Sequence, residues 1–215
     1  YDLDAQTFIT NATISNSTQQ QAINNLVIGL KSDSLWTKML AVYPFVGGTA
    51  TSCKYNLKNP LDTDAAFRLN FVGGWTFSNN GIQPNGTNTY ANTFLIPLTH
   101  WTLNNGSVSA YSRTNNVEPS SVIYGTKGSS FNNVVYALID TSFSSVFHNG
   151  LPPSSLATPP TTTALNFISS RINTNEIIVA LNGTTTPYVN TPTALSPVSI
   201  YFGARNNNDV TADLF

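Results

Sequence analysis

The sequence predicts a mainly β protein, an antiparallel β-sandwich preceded by short N-terminal α-helices. Three observations predict it. Apolar residues recur at helical spacing only in the first 45 or so residues; from Gly47 onward the period is two; and Asn-Gly pairs stand beside apolar runs where tight hairpin turns belong. The 215 residues suit one large β-domain, which buries ~70% of the surface its unfolded chain exposes. On this basis residues 1–46 form a helical segment that packs on or leads into the sandwich, and residues 47–215 form the sandwich.

In chain order, Asp4 to Ala12 fits a short helical turn, weakened by two threonines and an asparagine. Ser17 and Gln20 are spaced as a capping box. Ala22, Ile23, Leu26, Val27 and Leu30 then form one apolar stripe, which predicts a helix from Thr18 to Leu30. Asp33 is placed to cap a second helix with Trp36, Met39, Leu40 and Tyr43 on its buried face and Pro44 as its stop. The clearest strand pattern is Phe67–Val72, where Phe67, Leu69 and Phe71 alternate with Arg68 and Asn70. Further strands are expected at Trp75–Phe77, Thr89–Leu95, Val108–Arg113, Val122–Tyr124, Val134–Ile139, Phe143–Phe147, Leu165–Arg171, Ile177–Leu181 and Val198–Phe202. Asn105-Gly106 predicts a hairpin joining Trp101–Leu103 to Val108–Ser112, and Asn182-Gly183 predicts one after Ile177–Leu181. The four prolines of Leu151–Thr163 cannot donate into a ladder, so that segment is expected to be an extended surface loop.

Nine basic and ten acidic side chains leave a net charge of −1, so no basic field attracts a phosphate backbone, and nucleic acid is not an expected partner. The polar residues are instead mostly Asn, Thr and Ser, neutral donors and acceptors that line turns and strand faces. Cys53 stands alone, which rules out an internal disulfide and favours a buried thiol. No run approaches the ~20 apolar residues that cross a bilayer, so membrane insertion is not expected. The chain begins at Tyr1 and stops at Leu214-Phe215, which suggests part of a longer polypeptide.

The residues offer little to catalysis. Glu118 and Glu176 lack a second carboxylate two or four positions away, the sandwich glucanase pattern Glu-x-Asp-x-x-Glu is missing, and no Gly-x-Ser-x-Gly elbow occurs. The expected protein is not an enzyme. His100 and His148 lack partners at metal-ligand spacing, and no cofactor is expected. Calcium alone has a candidate donor set, in Asp62 and Asp64 beside Asn59 and in the run Asn206-Asn207-Asn208-Asp209. Both groups also read as turn formers, the simpler interpretation. Gly47-Gly48 and Gly73-Gly74 lack phosphate-loop spacing and serve backbone geometry. Trp75, Tyr90, Trp101 and Tyr111 fall near turns or strand ends, where a ring can present its face to a sugar while neighbouring amides bind hydroxyls; core packing is the competing role. The candidate ligand-binding set is Trp75, Asn88, Tyr90, Asn206 and Asn207.

Trp36-Thr37-Lys38-Met39, Tyr43-Pro44-Phe45-Val46-Gly47-Gly48-Thr49-Ala50, Asn56-Leu57-Lys58-Asn59-Pro60, Asp64-Ala65-Ala66-Phe67-Arg68-Leu69 and Asn85-Gly86-Thr87-Asn88 together resemble a family of tailed-bacteriophage virion proteins. Ser170-Arg171, Asn182-Gly183 and Ile200-Tyr201-Phe202-Gly203-Ala204-Arg205-Asn206 extend the resemblance, which runs from about Thr18 to the end of the chain. It implies a concanavalin A-like jelly roll, of the lectin, glucanase and laminin-G type, in a tail, fibre or head-decoration component on the particle surface. It also implies that a further strand follows Phe215. The expected partners are other virion proteins, further copies of the chain and bacterial surface glycan. The fold alone does not choose between an adhesin, an architectural spacer and a glycan-degrading enzyme with an unusual site.

Overall fold

The computed structural model describes residues 1–113, 121–129, 134–139, 144–148 and 165–212. The proline-rich segment Leu151–Thr163, Glu118 and Phe143 lie outside the described residues. Strands outweigh helices, in several sheets, and the mainly β class holds. The chain divides into two compact units, Tyr1–Asn85 with Ala91–Phe94 and Gly86–Tyr90 with Leu95–Phe215, so the division does not fall at residue 46. The reason lies in the first core: Val42, Val46, Tyr55 and Leu57 pack against the same helical residues as Phe8, Ile23 and Trp36, which draws the chain beyond Gly47 into the helical unit.

In the first unit, α1 spans Leu3–Asn11 and buries Ala5, Phe8 and Ile9, a full helix where the sequence suggested one weak turn. Asp2 caps it, accepting from the Asp4 amide at 3.0 Å. Helix α2 spans Ser17–Ser32. Its cap is Asn16, which accepts from Gln19 N at 3.1 Å, and the Ser17/Gln20 box does not form because the Gln20 amide donates to the Ile14 carbonyl at 2.7 Å. The buried face of α2 is Ile23, Asn24 and Val27, while Ala22 faces solvent and Leu26 is 39% exposed. Asn24 turns inward because its Oδ1 accepts from the Asp2 amide at 2.7 Å, tying the start of α1 to the middle of α2.

The second N-terminal helix is not formed. Asp33 closes α2 at its C-terminal end, and a single 3₁₀ turn, Trp36–Lys38, follows. Trp36 is buried, with the Lys58 and Lys31 ammonium groups 4.4 and 5.7 Å from its ring centre. A genuine capping box opens α3 (Ala50–Cys53), made by Thr49 and Ser52. Gly47 is held at φ 86°, and a Cβ there would lie 2.5 Å from Ser52 Oγ, which confirms its structural role. Cys53 is buried, and burial pushes its thiol pKa up.

The strand read at Phe67–Val72 is shorter than its pattern. Asp64–Ala66 form a 3₁₀ turn, Phe67 takes a left-handed φ of 59°, and only β1 (Asn70–Val72) is extended. Phe67 is held there by its carbonyl, which accepts from Tyr43 Oη at 2.6 Å, while Arg68 Nε turns back to Asp64 at 2.8 Å. The short strands β2 (Thr76–Ser78) and β3 (Gly81–Gln83) make a hairpin, and β4 covers Tyr90–Asn92.

Lys31 bridges Asp2 and Asp4, at 2.7 and 2.6 Å, across the two helices. Its hydrogen bond to Asp2 holds that carboxyl below its ordinary pKa. The stabilisation is therefore complete above the unfolded-state value and is lost as pH falls below about 4 through the folded-state value. Asp2→Asn is expected to flatten the acid limb of the stability curve between about pH 2 and pH 5. Chemical denaturation at several pH values checks it, and an acid limb as steep as that of the wild type would refute the role given to Asp2.

The second unit opens with a short helix, α4 (Pro97–His100), and a tight bridge between Thr102 and Asn105, in place of the hairpin expected at Trp101–Leu103. Strand β5 (Gly106–Ser112) instead pairs antiparallel with β9 (Leu165–Arg171), a partner far away in sequence. Strand β9 continues to β10 (Glu176–Leu181), and β10 to β11 (Thr184–Val189), so the order is β11-β10-β9-β5. The β10–β11 turn is Asn182-Gly183, both at positive φ, 46° and 85°, as read from the sequence. A second sheet pairs β6 (Ser121–Lys127) with β7 (Val134–Ile139), and β7 with β8 (Ser144–His148). On β6 also lie β12 (Tyr201–Phe202), antiparallel, and β13 (Arg205–Asn207), parallel. Strand β14 (Val210–Ala212) pairs with β13 through Asn208-Asp209, which lie at φ 52° and 66°, so the asparagine run is a hairpin turn.

Candidate functional site

Trp75 belongs to the first unit. Its indole Nε1 donates to the Val72 carbonyl at 3.0 Å, and Phe71 meets it edge-on with ring centres 5.4 Å apart. Phe71 in turn meets Phe77 at 4.9 Å, so the half-buried Trp75 is part of an aromatic brace across the turn between β1 and β2.

The other four candidates belong to the second unit. Asn88 is exposed, and Tyr90 stacks on Tyr201 with ring centres 4.6 Å apart and planes 16° from parallel. Burial foremost, then Tyr90 and Asp209, raise the Tyr201 phenol above its ordinary pKa. Asn206 does not face this surface. It is fully buried, its Nδ2 donating to the Ser199 carbonyl at 2.9 Å and its Oδ1 accepting from Asp209 N at 2.8 Å. Its amide therefore fastens the β13–β14 turn and is not offered to a ligand. Asn207 is half-buried, with its backbone in register with Lys127 of β6.

The calcium reading meets a different chemistry at Asp62 and Asp64. Lys54 Nζ lies 2.6 Å from Asp62, and Arg68 reaches Asp62 at 3.3 Å and Asp64 at 2.8 Å. The Lys54 hydrogen bond holds the Asp62 carboxyl below its ordinary pKa. These carboxylates already satisfy two cations of the chain itself. Among the described residues no group of three or more His, Cys, Asp or Glu converges. His100 Nδ1 lies 2.9 Å from the Ile96 carbonyl and 3.2 Å from the Ile96 amide, a role in closing α4.

What the sequence pattern did not single out is one face of the β11-β10-β9-β5 sheet. Inward lie Ser169, Arg171, Ile177 and Val179, all buried. Outward, neighbours across the strands make two rows: Ser107, Ser170, Ile178 and Pro187, then Ser109, Ile168, Ala180 and Thr185. Ser107 and Ser170 share a hydroxyl hydrogen bond at 2.8 Å. Tyr111, 65% exposed, extends the face at one end, and Val189, 85% exposed, pairs with Glu176 at the other. Neither row carries a charge, and Glu176, opposite Val189 at the end of the same face, does.

Beside Glu176 a cleft of about 560 Å³ opens between Asn173, Thr174, Asn175 and Glu176 on one wall and Pro187, Tyr188 and Val189 on the other. Arg171, 1% exposed, is hydrogen-bonded to one residue of this lining, Asn173. Its Nη1 donates to the Asn190 carbonyl at 2.8 Å and to the Asn173 carbonyl at 3.4 Å, and its Nη2 donates to Asn190 Oδ1. Burial holds this guanidinium below its ordinary pKa. The period-two pattern of β9 was the available signal: it put Arg171 on the same side as Ser169, but the pattern alone does not say which side is buried.

The fold and this surface define a mainly β protein of two compact units, with an outer sheet face that carries one charge, Glu176, and a cleft at its end. The chain matches no protein-family model and no curated protein sequence.

Proposed function

We propose that this chain is a non-catalytic structural domain of a tailed-bacteriophage particle, with its β-rich part a concanavalin A-like jelly roll that displays a carbohydrate-binding face toward the host surface. The observation that carries this reading is the outer face of the β11-β10-β9-β5 sheet, where serine and threonine hydroxyls stand beside aliphatic side chains and charge is confined to Glu176. Such a face offers hydrogen bonds to hydroxyls and apolar contact to the C–H faces of sugar rings, without a field that selects ions. The particle context and assembly with further copies rest on the sequence resemblance.

A second reading, an architectural spacer, draws on α1 and α2. Leu3 is 79% exposed, Leu26 39% and Ile28 50%, so apolar side chains of both helices are open to neighbouring proteins. One experiment separates the readings. The purified chain is applied to a glycan array and to bacterial cells, with light scattering for copy number and a reducing-sugar assay in parallel. Binding without sugar release supports the adhesin. Assembly without binding moves the conclusion to the spacer, and sugar release overturns the non-catalytic assignment.

A further inference from the structure

We propose that the cleft between the Asn173–Glu176 turn and the Pro187–Val189 end of β11 is the saccharide site itself, and that it takes neutral or amino sugars and rejects acidic ones. This rests on the carbohydrate-binding reading above and adds to it a location and a charge preference.

The cleft is built before any ligand arrives. Asn173 Oδ1 accepts from Asn175 N at 2.8 Å, which folds the turn. Asn175 in turn accepts at its carbonyl from Asn190 N at 2.9 Å, and Ile172 N donates to the Glu176 carbonyl at 3.3 Å. Arg171 ties Asn173 on one wall to Asn190 behind the other. The two walls are thus fixed to one buried guanidinium, so the ordering cost of forming a site has already been met in folding.

The volume, about 560 Å³, falls in the range of small-molecule sites. The lining suits a polyhydroxylated ring. The Glu176 carboxylate can accept from two neighbouring hydroxyls, the Asn173 and Asn175 amides both donate and accept, and Pro187, Tyr188 and Val189 supply apolar surface. Glu176 has only a long contact, 3.5 Å, from the Asn173 amide. Among the described residues no Lys, Arg or His pairs with it. Arg171, the nearby cation, spends its Nη donors on Asn190 and Asn173. The guanidinium keeps its charge, but Glu176 is the charged group that lines the cleft, so a carboxylate, sulfate or phosphate on the ligand would meet the Glu176 carboxylate directly, whereas an amine would meet its complement.

The test uses the whole 215-residue chain on an array of neutral, amino and acidic oligosaccharides, with Val189→Trp to fill the cleft from an exposed position and Glu176→Gln to remove its charge. Leu61→Ser, an exposed change in the first unit, is the control, and thermal melting verifies folding. Wild type is expected to bind neutral or amino sugars. Val189→Trp and Glu176→Gln are each expected to weaken binding at least tenfold, about 1.4 kcal/mol. The control is expected to stay within about twofold. If wild type binds and both cleft variants bind within about twofold of it, the site lies elsewhere and the adhesin reading stands. A preference for acidic sugars overturns the site's chemistry. No binding by the wild type overturns both.

Discussion

Asn56→Ala is expected to destabilise the first unit by about 4 kcal/mol, from four hydrogen bonds, one buried and three part-buried, at about 1 kcal/mol each. Asn56 is fully buried. Its Oδ1 accepts from Val42 N at 2.9 Å and Lys58 N at 3.0 Å, and its Nδ2 donates to the carbonyls of Leu40 at 3.1 Å and Ala66 at 3.0 Å. One amide thus satisfies backbone groups from three separate stretches, none of them in a regular helix or strand ladder. Truncation leaves the Ala66 carbonyl buried without its partner and the other three groups only partly open to water, which is where the cost arises. The isosteric Asn56→Asp keeps the two acceptor bonds but puts a carboxylate oxygen against two carbonyls, so its pKa in the folded state rises. The variant's loss of stability is accordingly smallest in acid and grows as pH rises through the carboxylate range. Urea unfolding followed by tryptophan fluorescence measures both. A loss below about 1 kcal/mol in Asn56→Ala would mean that water takes over the amide's place.

Arg171→Ala is expected to cost the second unit about 4 kcal/mol, since it removes charge-assisted hydrogen bonds and, among the described residues, the largest of the fully buried side chains. Two further substitutions separate the contributions. Arg171→Lys keeps the charge but cannot reach Asn173 and Asn190 together with one rigid fork, so it should recover less than half of the loss. Arg171→Met keeps most of the volume and drops the charge. Because desolvating a guanidinium opposes its hydrogen bonds, full stability in Arg171→Met would show that the charge contributes nothing net and that only packing matters. Loss in all three, measured as a lower urea midpoint for the second unit, supports the guanidinium as the strut of the cleft.

Several elements were legible in the residues themselves. Strands β7 and β9 begin and end where the strands expected at Val134–Ile139 and Leu165–Arg171 do. The Asn182-Gly183 turn formed because both residues tolerate positive φ without strain. Helix α2 lies where the 3.6-residue stripe put it, within two residues at either end. These are local properties: they depend on the period of a run or on the torsions one residue accepts.

The features that shape the candidate site depend instead on partners distant in the chain. Strand β11 was hidden by Pro187, which argues against a strand until the sheet order shows β11 at an edge, where a missing donor costs nothing. Phe67 left the extended pattern of its neighbours because the Tyr43 hydroxyl holds its carbonyl. Asn56, Asn206 and Arg171 have the composition of surface residues, yet each is buried because backbone groups from other segments need exactly the donors and acceptors they carry. The sequence by itself determined the mainly β class, the position of α2 and the Asn182-Gly183 turn, since period and torsion are read residue by residue. Which polar side chains were spent inside, and which were left lining the outer face and its cleft, was decided only by the tertiary structure, because a buried hydrogen bond is satisfied by whatever segment folding brings alongside it.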